Sequence, residues 1–447
     1  MEQDYSTDLY LPEQDVYQPL MGPVPVGKDK IGIIDLVFAL YLIATAGTTS
    51  TPYWFIPAYL GYFAMFIFIL SFNYGRVFEN PGFWLTIALI LWTWITTALC
   101  DNPYGSRVGA WYHTKIYVAG LMFMARCTSY RKFLFFLKAT VVGVSVLAIS
   151  GAVMGYASAA EGRETVETGI GGQRNAYGAV LFAGVVAGQI FFPVATKKWK
   201  MLIWIYFAAV AVALLASGSR GATVSCCVVF LAYYLLEHVR YINKNLKIII
   251  PATIIVMGTP FLIIKLFPHA LLVERMLEIV YSGVEEGSSG RTDIMRHAWG
   301  LFLEHPLFGI GTAQYIAYSP AGYVYTHTTY LEFLVSTGIF GFLLYYGYMA
   351  YAWLLLIKLT KAYKNDAPFR KMFNAGKSAI LATVIYGSFN LMHSQKTVVF
   401  LMGSIIGFSF LYWRQIKNSM PLQHEQPDEE YSQEASYRED LALDEYQ

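Results

Sequence analysis

Long apolar runs dominate this chain and leave few folds open to it. They fall near residues 30–49, 53–73, 82–100, 108–126, 132–155, 176–196, 200–217, 221–239, 246–266, 336–357, 377–394 and 397–415. Each approaches the roughly 20 residues that a helix needs to cross the hydrocarbon core of a bilayer. Of 447 residues, 56% are hydrophobic and 14% are charged, with a mean hydropathy of +0.44. A soluble domain carries about 25% charged residues. The expected fold is therefore all-α, a polytopic integral membrane protein with about 12 transmembrane helices. A net charge of +2 leaves no electrostatic footprint for nucleic acid.

The connections alternate in basic charge. With the N-terminus in the cytoplasm, inside segments hold 20 Lys and Arg residues and outside segments hold 9. Cytoplasmic loops carry the Lys/Arg excess, so both termini are expected inside. Residues 1–27 form a polar acidic tail without Lys or Arg, unlike the basic start of a cleavable signal peptide. Residues 28–417 form the membrane domain. Residues 418–447 are strongly acidic, carry Tyr431, Tyr437 and Tyr446, and are expected to be a disordered cytoplasmic tail. The four cysteines have neither metal-ligand spacing nor a disulfide pattern, no two histidines have zinc-site spacing, and no metal or cofactor is expected.

Seven of the nine outside basic residues are Arg, whose planar fork suits phosphate better than the point charge of Lys. Three Arg-bearing polar motifs share this outer face. Arg220 lies in SGSRG between two apolar runs, at or just inside the outer rim of the bilayer, where an ionisable residue is a functional candidate by default. The alternative is an Arg snorkelling to lipid headgroups. Arg174 follows Gly171 and Gly172 and precedes Asn175 at the start of a span, a setting that favours an anion.

The third motif lies in the one long outer loop, about 267–335. Arg291 opens an amphipathic run in which Ile294, Ala298, Trp299, Leu301 and Phe302 are expected to lie along the membrane surface, with Arg296 and His297 toward headgroups. A turn built on Pro306, Gly309 and Gly311 follows. His327 then stands just before an apolar helix, with Thr326 as the expected cap. A neutral His takes a proton from a hydroxyl near pH 7, and Glu332 is positioned to orient or polarise it. An interfacial loop His without function is the alternative.

Taken in order, GGQRNAYGAVL, SGSRGA and SGR…W…EHPLFGIG…HTTYLEFLVSTGIFG resemble the signature of the bacterial O-antigen ligase and polysaccharide polymerase family, from about residue 170 to 345. The resemblance implies transfer of a glycan from an undecaprenyl diphosphate carrier to an acceptor sugar on the outer face of the inner membrane. It implies inversion and no metal. Arg220 and Arg291 would bind the carrier diphosphate, and His327 would activate the acceptor hydroxyl or contact the diphosphate. Arg174, Asn175, Tyr330 and Glu332 join them as substrate-binding candidates. The chain departs from the family pattern at Thr328, where Asn is usual. The implied partners are the lipid-linked donor, a glycan or lipid acceptor, the bilayer, and polysaccharide-assembly proteins reached through the acidic tail. Trp299, Tyr315, Tyr318, Tyr323 and Tyr325 are available to an outer glycan cleft, although interfacial belts use the same residues.

Ligase and polymerase differ only in acceptor, and the motifs do not separate them; the ligase reading is slightly preferred. A flippase or transporter would instead put ionisable residues deep in spans or break helices in matching halves. Only Asp35, Lys115 and Lys138 come near that description. A sensor acting through its tyrosine-bearing tail would leave the outer Arg motifs unexplained.

Overall fold

A computed structural model describes residues 30–47, 55–71, 75–160, 174–238, 265, 273, 277, 291–319 and 325–419. Residues 1–29 and 420–447 of the tails, the run at 246–266 apart from residue 265, Gly171, Gly172 and Tyr323 lie outside those residues. The described chain is helical and contains no strand. Its elements are α1 (Ile33–Gly47), α2 (Phe55–Ser71), α3 (Gly75–Phe78), α4 (Pro81–Leu99), α5 (Pro103–Arg126), α6 (Tyr130–Ala160) and α7 (Arg174–Phe191). They continue with α8 (Lys197–Ser217), α9 (Arg220–His238), α10 (Arg291–Glu304), α11 (Tyr315–Tyr318), α12 (Thr329–Ala362), α13 (Ala367–Tyr386) and α14 (Lys396–Ser419).

Among the described residues, α4, α6, α7, α8, α9, α12 and α14 are long and apolar enough to cross a membrane, seven helices in all. α1 and α2 are apolar but shorter. α5 and α13 fall below on polarity, because α5 carries Arg107, His113 and Lys115, and α13 carries Arg370, Lys371 and Lys377. The exterior is apolar, with Leu91, Ile149, Ile205 and Leu343 exposed on α4, α6, α8 and α12. An exterior this apolar is stable only where lipid replaces water.

Local sequence explains the helix starts. Asn80 caps α4, accepting from Gly82 N at 2.9 Å, with Pro81 in the first turn. Asn102 and Pro103 repeat the device at α5, and Asp366 and Pro368 at α13. A side-chain acceptor satisfies an orphan N–H, and Pro lacks one to satisfy. The helices then pack through small residues. α5 and α14 cross where a Cβ on Gly403 would overlap the Gly120 carbonyl, the close approach that membrane interfaces use. α7 and α14 are the central, most buried helices.

Two of the three ions expected near span ends, Asp35 and Lys138, are paired or stacked. Asp35 is buried and accepts from Arg126 at 2.5 Å, with Lys132 Nζ 3.7 Å away. Lys138 stands over the rings of Phe191 and Trp199. At the other end of α9, Glu237 pairs with Arg370 at 2.5 Å and accepts from Asn374 at 2.7 Å. These are structural pairs rather than a relay through the bundle.

Two helices depart from the expected runs. α13 starts ten residues before the run at 377–394 and stops at Tyr386, so Gly387–Gln395 is irregular apart from one 3₁₀ turn, Met392–Ser394. The cause is Thr329. Its N–H donates to Gly387 O at 2.7 Å, and its hydroxyl donates to Asn390 O at 2.7 Å and accepts from Met392 N at 2.8 Å. α12 starts at Thr329 rather than 336 and breaks at Gly338, whose φ of 64° and ψ of −169° are not helical.

The break at Gly338 is closed by the Pro306–Gly311 turn. Ile310 N donates to Val335 O at 2.8 Å, Gly311 N to Ser336 O at 3.1 Å, and Trp92 Nε1 to Thr337 O at 2.8 Å. Ile339 N, which the break deprives of its helical acceptor, donates to Pro306 O at 2.9 Å. Four of the groups freed by the break thus find partners, as a dry environment requires. A Cβ on Gly338 would overlap the Leu307 carbonyl, and one on Gly309 would overlap that of Val335. We expect Gly338→Ala to destabilise the protein by roughly 1–3 kcal/mol through backbone strain and displaced hydrogen bonds. Gly347→Ala, where an added Cβ meets nothing within 4 Å, should be neutral or gain roughly 0.5–1 kcal/mol. Thermal unfolding of the two variants in detergent checks the contrast.

Candidate active site

The segments singled out by sequence meet around the N-terminal ends of helices. Arg174 is the first residue of α7, Arg220 of α9 and Arg291 of α10, and His327 lies two residues before α12. The contacts that join them are local and specific. A Cβ on Gly178 of α7 would lie 2.7 Å from Ala222 Cβ of α9, so these two helix starts touch. A Cβ on Gly221 would lie 3.3 Å from the ring of Tyr386 at the end of α13. The charge of Arg291 reaches both the Tyr386 hydroxyl and the His327 imidazole. Asn390 Nδ2 donates to Asn175 O at 3.0 Å, tying the α7 start to the Gly387–Gln395 segment. Helix N-termini carry partial positive charge and unpaired N–H groups. Several of them converging with Arg side chains make a surface suited to an anion.

Arg220 follows Gly218, which ends α8 in the left-handed region (φ 63°) and turns the chain tightly into α9. Both Arg220 and Arg291 are half-buried. Arg296 is exposed and pairs with Asp293 at 3.2 Å. The apolar face of α10 does not lie on the membrane surface: Ile294, Ala298 and Leu301 are buried against Ile310, Tyr315 and Val335. The protein's own turn and α12 supply a better-packed apolar partner than the interface would. Trp299 and Leu303 are the large apolar side chains of α10 left exposed. Tyr315 is fully buried, with its hydroxyl on Ile294 O, and Tyr318 donates to Asp101 at 2.8 Å, so both hold the loop.

His327 is half-buried and has φ 61°, a left-handed conformation uncommon for a residue with a side chain. Its ring meets Tyr325 edge to face at 4.5 Å. The helix cap is Thr328, not Thr326: Thr328 Oγ1 accepts from Leu331 N at 3.2 Å. Asn, the usual residue there in the resembled family, would cap equally well. Thr326 instead donates through its N–H and its hydroxyl to Glu332 Oε2, both at 3.0 Å, and Ser336 donates to Glu332 Oε1. Glu332 therefore positions the residue before His327 rather than His327 itself. Tyr330 donates to Val384 O at 2.6 Å and stacks on Tyr346, which seats α12 on α13.

Burial first, and the Arg291 guanidinium second, hold the His327 imidazole below the ordinary histidine value of 6.5. The ring is therefore neutral near pH 7, the form that accepts a proton. Beside it opens a cavity of about 540 Å³, walled by Tyr325, Glu332, Asn175, Asn390, His113 and His393. Sequence reasoning did not single out Tyr386, Asn390 or the His113–His393 pair. The polar GSFN stretch inside an apolar run was the available signal. Because Arg291 depresses the His327 titration, Arg291→Gln should move it upward toward 6.5. The pH dependence of diethylpyrocarbonate modification at His327, read by mass spectrometry, checks that direction.

Comparison with known proteins comes to the same segment. A search of curated proteins finds no match to the chain. The match to a family model begins in α8 and ends within α12, taking in Arg220, Arg291 and His327 but not Arg174 or Asn175. Residues 205–346 match the family model described as O-Antigen ligase.

Proposed function

We propose that this membrane protein is a glycosyltransferase that moves a glycan from a polyprenyl diphosphate carrier to an acceptor hydroxyl, on the outer face of a bacterial inner membrane. The observation that carries the reading is Arg291, at one helix N-terminus, acting on a neutral His327, with the α9 start at Arg220–Gly221 packed on the Tyr386 that Arg291 also reaches. Orientation by basic charge supports the outer face, with both termini inside.

The chemistry follows from these groups. Attack of the acceptor oxygen on the anomeric carbon breaks the bond to the carrier's diphosphate oxygen, and negative charge grows on that oxygen. Preorganised Arg forks and helix N-termini aimed at developing charge stabilise it in place of a metal. Neutral His327 takes the acceptor's proton as the new bond forms. Attack from the face opposite the leaving group inverts the anomeric centre. Glu332 and Thr326 fix the loop that presents His327, and the cavity behind Tyr325 offers room for sugar.

A ligase would pass the glycan to a lipid or other envelope acceptor, and a polymerase to another carrier-linked repeat. Arg174, with Asn175 at the start of α7, is read as a further substrate contact. The acidic tail at 418–447 is read as the contact for assembly proteins. In proteoliposomes with a radiolabelled undecaprenyl diphosphate glycan and EDTA, we expect transfer to proceed. Arg291→Ala, Arg220→Ala and His327→Ala should each lose about 10²–10³-fold in kcat, the range seen on removing one such stabilising or proton-transferring group. Carrier-dependent movement of label across the bilayer without any new glycosidic bond would replace this reading with a flippase.

A further inference from the structure

The cavity of about 540 Å³ beside His327 has one side on the start of α14, where Gln395, Lys396 and Thr397 line it. Met392 O takes the N–H of Gln395, whereas no acceptor among the described residues takes the N–H of Lys396 or Thr397. The first amides of a helix have no partner within it and carry partial positive charge. Lys396 adds a full charge at the same place. It is half-buried and forms no salt bridge among the described residues. An ammonium that has given up part of its water is costly until an anion meets it. Lys115, the nearby cation on α5, is exposed and does not line this cavity.

The rest of the wall is polar and uncharged. His393 is 2% exposed, lines the same cavity, and has an Nδ1 atom with no hydrogen-bond partner among the described residues. Burial holds its imidazole well below the ordinary histidine value, so it offers hydrogen bonds without charge. Asn175 and Asn390 stand beside it with the Tyr325 ring. Glu332 also lines the cavity, but its carboxyl is taken by Thr326 and Ser336. One unpaired positive charge at a helix N-terminus matches a single negative charge. A carrier diphosphate bears more than one and is better served by guanidinium forks. Neutral donors and acceptors match hydroxyls, and a buried polar atom without a partner marks where a ligand bonds.

We infer that this cavity is a subsite for a sugar that carries a carboxylate, a uronic acid or a related acidic sugar, with Lys396 and the α14 N-terminus taking the carboxylate and His393 a neighbouring hydroxyl. This rests on the transferase reading and deepens it: the glycan handled is acidic, and Lys396 is the residue that selects for it. The ammonium acts as a point charge, and the helix amides beside it add directed donors.

Saturation-transfer NMR on the full-length protein in nanodiscs reads weak sugar binding without turnover. The probes are glucuronyl-N-acetylglucosamine and its neutral counterpart glucosyl-N-acetylglucosamine, which differ only at one C6. We expect wild type to bind the acidic disaccharide about tenfold more tightly, the scale of one charge-assisted bond. Lys396→Met should erase that preference while leaving binding of the neutral probe, and Lys396→Arg should keep it. His393→Phe should weaken both probes. Lys115→Met, which removes a nearby exposed cation, should leave the preference intact. Equal affinity for the two probes in wild type, or no binding of either, overturns the inference. So does a preference that survives Lys396→Met or is lost in Lys115→Met. The two claims fail separately, since transfer of radiolabel in proteoliposomes judges the transferase and binding of these unlinked disaccharides judges the subsite.

Discussion

The break in α12 and the turn that fills it are the interaction on which the outer half of this protein depends. A membrane-embedded helix cannot be interrupted unless its freed amide groups find other partners. Here the turn from Pro306 to Gly311 and the indole of Trp92 supply them, from segments far apart in the chain. The same bonds fix where α10 ends and where Thr329–Thr337, the first part of α12, points. His327 stands at the start of that short piece, so its location follows from backbone pairing at the opposite end. Burial of Ile294, Ala298 and Leu301 against the turn then brings Arg291 to it.

Around that frame, charge is arranged with economy. The cationic groups of the candidate site come from helix N-termini and from Arg, and the histidine among them is kept neutral by burial and by Arg291. Several other ions are paired, as with Asp35 between Arg126 and Lys132, or Glu237 with Arg370. The contrast separates charges that hold helices together from charges gathered at the candidate site. Glu332 belongs to the first kind although it lies near the site, because Thr326 and Ser336 saturate its carboxyl.

Much of this was legible in the order of residues. The all-helical class follows from the apolar runs, and Arg220, Arg291 and His327 stand out because polar motifs are few and gather on one face. The starts of α9 and α10 fall on the Arg residues themselves. Other features were hidden for physical reasons. Gly338 sits in a continuous apolar stretch, where periodicity reads helix and only a partner turn more than 25 residues away reveals the break. Asn390 and His393 lie in a run whose mean hydropathy masks an irregular segment set by Thr329. The amphipathic face of α10 was correctly apolar but turned inward, since periodicity cannot tell a lipid partner from a protein one. Tyr330 matched a motif, yet its hydroxyl is used by Val384.

Thr329 links two parts that have been treated separately. Its amide and hydroxyl grip Gly387, Asn390 and Met392, one residue beyond the cap and two beyond His327. The loop that carries the imidazole and the wall that carries His393 therefore share a single surveying point. A displacement of either is measured against the same buried hydroxyl, so the gap between base and wall is a ruler with both ends nailed to one post.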